Sequence, residues 1–253
     1  MEWLVNTIEA EIIPRLMAAH RDDSGRAPSG SAVITDEDIA GFAEISMHGD
    51  AATCLAFIEG VRGRGTSLEN VYLSLIAPAA RRLGTMWIED TCDFTEVTVG
   101  LWRMQQAMYD LSPEFHTDRE TPALGQRRIM LCTIPGSQHT LGILMVAEFF
   151  RRSGWCVGGE PAATREDLVR NASQQWFDVI GISIGSEPQL AFVKEIVSAL
   201  RDASQNKSVR IMLGGPVSIS ADAVRSYGAD AVAGDAQHAI QIAEQLATAK
   251  RAS

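Results

Sequence analysis

The sequence predicts an α/β protein: an antiparallel bundle of helices, then a five-stranded parallel sheet wound on both faces. Three observations predict it. Helical apolar spacing prevails to about residue 115, and β-type apolar runs begin at 127. From there five strands alternate with five helices. Strands as apolar as RRIMLCTI (127–134) and FDVIGISI (177–184) have no polar face to show to water, so helices must cover both sides.

Residues 3–20 carry apolar residues at helical spacing, Leu4, Ile8, Ile12 and Leu16, a stripe suited to packing or to a partner. RDDSGRAPSGSA (21–32) reads as a flexible linker. Residues 1–33 thus form an amphipathic helix with its linker, and a bundle is expected over 34–115. Thr35 starts the first bundle helix, with acidic residues in its opening turn. Asp50 starts the second, which stops near Gly63 or Gly65. Ser67 starts the third, SLENVYLSLIAPAARRLGTMW, with a kink expected at Pro78. Asp93 starts the fourth, where Asp93 and Glu96 have the spacing of a capping box. HTDRETPALGQ (116–126) is a second linker, and 127–253 is the α/β unit. Its strands are expected at 127–134, 155–159, 177–184, 209–215 and 229–234. Its helices are expected at 138–152, from Thr164, at about 188–203, at 219–227 and at 236–249. The commonest arrangement of such a unit is the flavodoxin-like order 2-1-3-4-5.

Composition narrows the function classes. Hydrophobic residues are 46% and charged residues 21%, ordinary for a soluble globular chain. No apolar run approaches a membrane span, and the acidic start MEWLVNTIEAEIIPRLM lacks the basic opening of a signal peptide. A cytoplasmic location is the expectation. Cys54, Cys92, Cys132 and Cys156 form no CxxC pair and read as buried thiols. A net charge of −10 argues against direct DNA binding. The pairs Arg81-Arg82 and Arg151-Arg152 read as solvated helix faces.

In a doubly wound sheet, ligands bind beyond the carboxyl ends of the strands. After strand 1 comes the loop Ser137, Gln138, His139, Thr140, then Gly142 in the following helix. After strand 3 come Ser183, Gly185 and Ser186; after strand 4, Gly214 and Gly215; after strand 5, Gly234. The offering is one histidine, hydroxyls, and glycines that permit close backbone approach. A phospho-acceptor site would need acidic residues after strand 1 and an Asp ending strand 3, and a flavin phosphate loop would need more hydroxyls. Neither GxGxxG nor GxxxxGK[ST] occurs at a strand end.

SQHTLG (137–142), GISIGS (181–186), LGGP (213–216) and GADAVAGDAQHAI (228–240) together resemble the cobalamin-binding domain shared by methionine synthase and corrinoid methyl carriers. SLENVYLSLIAPAARRLGTMWIED (67–90) is similar to the helical cap of that family. The resemblance covers roughly residues 35–250. It implies that His139 ligates cobalt from below in a base-off, His-on cobalamin. It implies that the displaced tail runs beside Gly142, Ser183, Gly214 and Gly215, with Gln138, Thr140, Gly185, Ser186 and Gly234 at the same rim. It also implies that Trp87 faces the upper side of the corrin. Imidazole is a directional ligand suited to cobalt.

Departures from the family patterns carry information. Ser137 stands where DxHxxG has its aspartate, so the carboxylate that orients and tunes the histidine in methyl transfer is missing. Light-sensing cobalamin repressors place a Glu–His pair in the cap, where this chain has Val97 and Thr98, so Thr98 takes that place beside the upper face. The arrangement of bundle, cobalamin domain and preceding helix EAEIIPRLMAAHR (9–21) resembles the AerR/PpaA antirepressors of photosynthesis genes. That implies a non-enzymatic regulator, sensitive to light and to redox state, whose partner is a PpsR/CrtJ-type repressor. Two alternatives stay open: a corrinoid methyl carrier, and a haem-binding redox sensor on the same fold, since one histidine serves iron or cobalt.

Overall fold

The computed structural model describes residues 33–117, 127–137, 140–160 and 162–249. The expected N-terminal helix and linker, Gln138, His139 and most of the 116–126 linker lie outside the described residues.

The helical layer is built on side-chain caps. Helix α1 (Asp36–His48) starts at Thr35, whose hydroxyl accepts from the Asp38 amide while the Asp38 carboxylate accepts from the Thr35 amide. Asp50 caps α2 (Ala51–Gly63) by accepting from the Thr53 amide. Ser67 caps α3 (Leu68–Asn70), which runs through a π-helical turn (Val71–Ile76) into α4 (Ala77–Ile88). The expected kink at Pro78 is replaced by that turn. Pro78 has no amide to offer the preceding turn, so the hydrogen-bond register widens just upstream, and Ala77 donates to the Tyr72 carbonyl five residues back. Helix α5 (Phe94–Phe115) opens on the Asp93–Glu96 box expected from sequence.

The second layer is a five-stranded sheet in the order β2-β1-β3-β4-β5, with all pairs parallel. Its strands are β1 (Arg128–Thr133), β2 (Cys156–Gly158), β3 (Val179–Ser183), β4 (Arg210–Gly214) and β5 (Ala231–Val232). The outer strands β2 and β5 are shorter than their apolar runs because only one neighbour pairs with each. Helices α6 (Leu141–Arg152) and α10 (Ala236–Ala249) cover one face. Helices α7 (Arg165–Gln174), α8 (Leu190–Ala203) and α9 (Ala221–Ser226) cover the other, with a 3₁₀ turn (Glu187–Gln189) leading into α8. Helix α6 begins three residues later than expected.

The helical layer rests on the outer side of α6. Its core takes in Met145 and Phe149 of α6 and Ala236 of α10. Tyr72 stacks on Phe115 at 4.5 Å, and Phe115 meets Phe149 edge-on at 5.1 Å. Burying each of these rings stabilises the contact by roughly 2–3 kcal/mol. The Tyr72 hydroxyl donates to the Met108 carbonyl at 3.0 Å, so its polar end is satisfied in the core. Polar bridges edge the contact. Glu69 accepts from Arg152 at 3.2 Å and from Gln237, and His116 lies 3.2 Å from the Glu148 carboxylate. Arg152 therefore does not sit on a solvated face as its sequence suggests. It is drawn between Glu69 and the Phe115 ring, 4.8 Å from the ring centre. Arg151 pairs with Glu148 on its own helix.

Cys54 and Cys132 are buried, Cys92 and Cys156 half-buried, and all four are free thiols. Burial pushes the Cys132 thiol up to about 12. No helix among the described residues is long and apolar enough to cross a membrane.

Candidate functional site

The central strands end on one line. Thr133 of β1 is in register with Ser183 of β3, and Ser183 with Gly214 of β4. Ladder bonds continue one residue beyond, from the Ile134 amide to the Ser183 carbonyl (3.2 Å) and from the Ile184 amide to the Gly214 carbonyl (2.8 Å). The result is a rigid row of one threonine, one serine and one bare backbone at the carboxyl edge, where β1 and β3 diverge to opposite helical faces.

Each loop above this row is shaped by a specific residue. Gly215 has φ +112°, and a Cβ there would lie 2.2 Å from the Ile184 carbonyl oxygen. Only glycine fits, so the chain after β4 turns tightly across the end of β3. Gly142, in the first turn of α6, is the opposite case: a Cβ there would meet nothing within 4 Å among the described residues beyond its own helix, so the start of α6 is open on that side. Thr140 precedes this helix, and its side chain makes no capping bond. Ser137 is buried, and its amide donates to the Ile134 carbonyl at 3.0 Å, closing the turn that leaves β1.

The loop after β3 is held from within. The Gly185 amide donates to the Gln189 side-chain oxygen at 2.7 Å, and the Gln189 amide donates to the Ser186 carbonyl. After β5, a Cβ at Gly234 would have no neighbour within 4 Å among the described residues. The next residue, Asp235, caps α10 by accepting from the His238 amide at 2.7 Å.

The structure thus brings Ser137, Thr140, Gly142, Ser183, Gly185, Ser186, Gly214, Gly215 and Gly234 to one edge of the sheet. Gln138 and His139 fall between Ser137 and Thr140, outside the described residues. Trp87 and Thr98 belong to the helical layer. Trp87 is 49% exposed and meets Phe94 at 6.5 Å, edge to face. The Thr98 hydroxyl donates to the Phe94 carbonyl at 2.7 Å, so Thr98 is satisfied within its own helix. Sequence reasoning missed Thr133, Gln189 and Phe94. Thr133 was visible as the polar residue closing an apolar strand; nothing in the sequence marks Gln189 or Phe94.

A groove between α7 and α8, lined by Arg165, Lys194, Glu195 and Asp202, is spanned by the Arg165–Glu195 ion pair and lies on other elements than this edge.

Comparison with known proteins gives three results. The family model described as B12 binding domain matches residues 127–244. Among curated proteins, the chain is 32% identical over 175 residues to an uncharacterized 20.5 kDa protein in the bchF-crtJ intergenic region of Rhodobacter capsulatus, covering 69% of this chain and 90% of that one. It is 26% identical over 169 residues to a corrinoid protein of Desulfitobacterium hafniense (strain Y51), covering 65% of this chain and 76% of that one. Among solved structures, the monomethylamine corrinoid protein of Methanosarcina barkeri superposes with a TM-score of 0.68 at 16% identity, covering 84% of this chain and all of that one.

Proposed function

This chain belongs to the B12-binding domain family, and on that premise we propose that it is a cobalamin-dependent regulator that senses light and acts by binding a transcriptional repressor. The observation that carries the cofactor half is the row Thr133–Ser183–Gly214 with clear space beside Gly142. A ligand laid along these strand ends would meet the Ser183 side chain and the bare backbone of Gly142 and Gly214.

In this reading His139 would ligate the cobalt, and the start of α6 with the ends of β3 and β4 would hold the cofactor's tail. Gly142 leaves room for it, Ser183 offers its hydroxyl, and the Gly214–Gly215 turn keeps side chains out of its path. Trp87 and Thr98 would face the corrin ring. Bound cobalamin would supply a light-sensitive cobalt centre. Ser137 brings no charge to the loop that carries His139, which favours sensing over methyl transfer.

The regulatory half is supported by the relative located between bchF and crtJ, and by the resemblance to antirepressors read from the sequence. A second reading, a corrinoid carrier that passes methyl groups to a methyltransferase, is favoured by the corrinoid relative. One experiment separates them. The purified protein is reconstituted with cobalamin in the dark, its visible spectrum is recorded before and after illumination, and capture of a CrtJ-type repressor is measured in both states. The regulator predicts a light-dependent spectrum and a light-dependent change in capture. Methyl exchange with a methyltransferase, with capture absent in both states, would establish the carrier instead. A haem spectrum from the purified protein would overturn both.

A further inference from the structure

Two residues beyond the end of β3, the backbone loses its ladder and a side chain takes over. Ser183 pairs with Gly214, and the Ile184 amide donates to the Gly214 carbonyl at 2.8 Å. Ile184 is also buried in the core, so this much of the edge is fixed whatever follows it. Gly185 comes next, and no backbone carbonyl among the described residues accepts from its amide. A glycine has no Cβ to restrict it, so an unheld Gly185 would leave the loop beyond it free to turn.

Gln189 holds it. Its side-chain oxygen accepts from the Gly185 amide at 2.7 Å, and its own amide donates to the Ser186 carbonyl at 3.1 Å. A single residue therefore closes the loop through both its side chain and its backbone. The anchor is itself firm. Gln189 ends the 3₁₀ turn in which Pro188 restricts the backbone, and α8 follows directly. Val193, Ile196, Val197 and Leu200 of that helix are buried against the sheet.

What the loop presents is Ser186. This serine precedes the 3₁₀ turn, its side chain makes no capping bond, and its hydroxyl bonds to no described residue. It is a free donor and acceptor at the rim beside Ser183, and it is held there by its neighbours alone.

We propose that Gln189 is a positioning residue of the cofactor site. Acting through Gly185, it keeps the free Ser186 hydroxyl in one place at the rim before the tail arrives. The inference rests on the cobalamin reading above. It follows that losing the Gln189 oxygen weakens binding without weakening the fold, because the loop must then be ordered by the ligand.

The test uses the full chain, first without cofactor. Gln189→Met keeps the length of the side chain and loses the acceptor; Gln189→Glu keeps an acceptor oxygen. In Gln189→Met the Gly185 amide should exchange with solvent at least about fivefold faster by NMR, while the Ile184 amide and the urea midpoint stay as in wild type. Gln189→Glu should recover most of that protection. Each protein is then titrated with cobalamin. Gln189→Met should bind at least about fivefold more weakly than wild type, and Gln189→Glu should lie between them. Unchanged exchange at Gly185 in Gln189→Met, or faster exchange with wild-type affinity, would overturn the inference and leave the cobalamin reading standing. A wild-type protein that binds no cobalamin would overturn both.

Discussion

Ser183 and Gly214 lie side by side at the carboxyl ends of β3 and β4, and the Ile184 amide that follows Ser183 donates to the Gly214 carbonyl at 2.8 Å. This pairing fixes the floor of the candidate site with backbone bonds, independent of any side-chain rotamer. It also forces Gly215 into a left-handed turn against Ile184.

Gly215→Ala should therefore act on stability first. The strained φ alone costs about 1–3 kcal/mol, and the overlap with the Ile184 carbonyl adds to it. Urea unfolding should show a loss of at least about 2 kcal/mol. An unchanged midpoint would mean that the turn relaxes freely.

Gly142→Leu should act on binding and leave the fold alone. Among the described residues no atom outside its own helix lies within 4 Å of a Cβ there, and glycine is a poor helix residue, so the variant should unfold at the same or a higher denaturant concentration. Cobalamin affinity should fall at least tenfold if the tail uses that space. Wild-type affinity in a stable variant would move the tail elsewhere.

The contrast between these two glycines shows how far the sequence could be read. Both are single letters in motif-like strings, and only the backbone reveals that one sits against a carbonyl and the other beside open space. The parallel, doubly wound sheet was legible because β1, β3 and β4 are apolar on both faces, its order followed from the commonest arrangement of such units, and the helix starts were legible because Thr35, Asp50, Ser67 and Asp93 cap them. The π-turn was not: Pro78 signals a disturbed helix, and a kink and a widened turn carry the same sequence signal. Arg152 was misread because its partners, Glu69 and Phe115, are distant in sequence.

Arg152 joins the two layers through Glu69 and the face of Phe115. Arg152→Ala should cost about 1–2 kcal/mol, and Arg152→Lys should recover only part of it, because lysine keeps the charge but not the planar stacking group. Equal stability of Ala and wild type would assign the contact to apolar packing alone.

Acid should loosen the helix starts. Hydrogen bonds from the Thr53 side chain and amide hold the Asp50 carboxyl below its ordinary 3.8, and those from Thr164 do the same for Asp167. At Asp38 burial pushes up, but bonds from Thr35 and Arg64 outweigh it and the net shift is also down. Depressed carboxyls stabilise the fold above their unfolded values, and that contribution is lost as pH falls through the folded ones. The melting temperature should be level from pH 7 to 5 on account of these groups and decline below about pH 4. Asp50→Asn keeps a capping oxygen and should flatten part of that decline. A decline of the same size in the variant would remove Asp50 from its cause.

The central claim is tested most directly by titrating cobalamin into His139→Ala, with circular dichroism as the control for folding. Loss of an axial metal ligand exceeds the 0.5–1.5 kcal/mol or so of an ordinary hydrogen bond, so affinity should fall at least about tenfold and the visible spectrum of any bound cofactor should change. A folded His139→Ala protein that binds cobalamin with wild-type affinity and an unaltered spectrum would contradict the account.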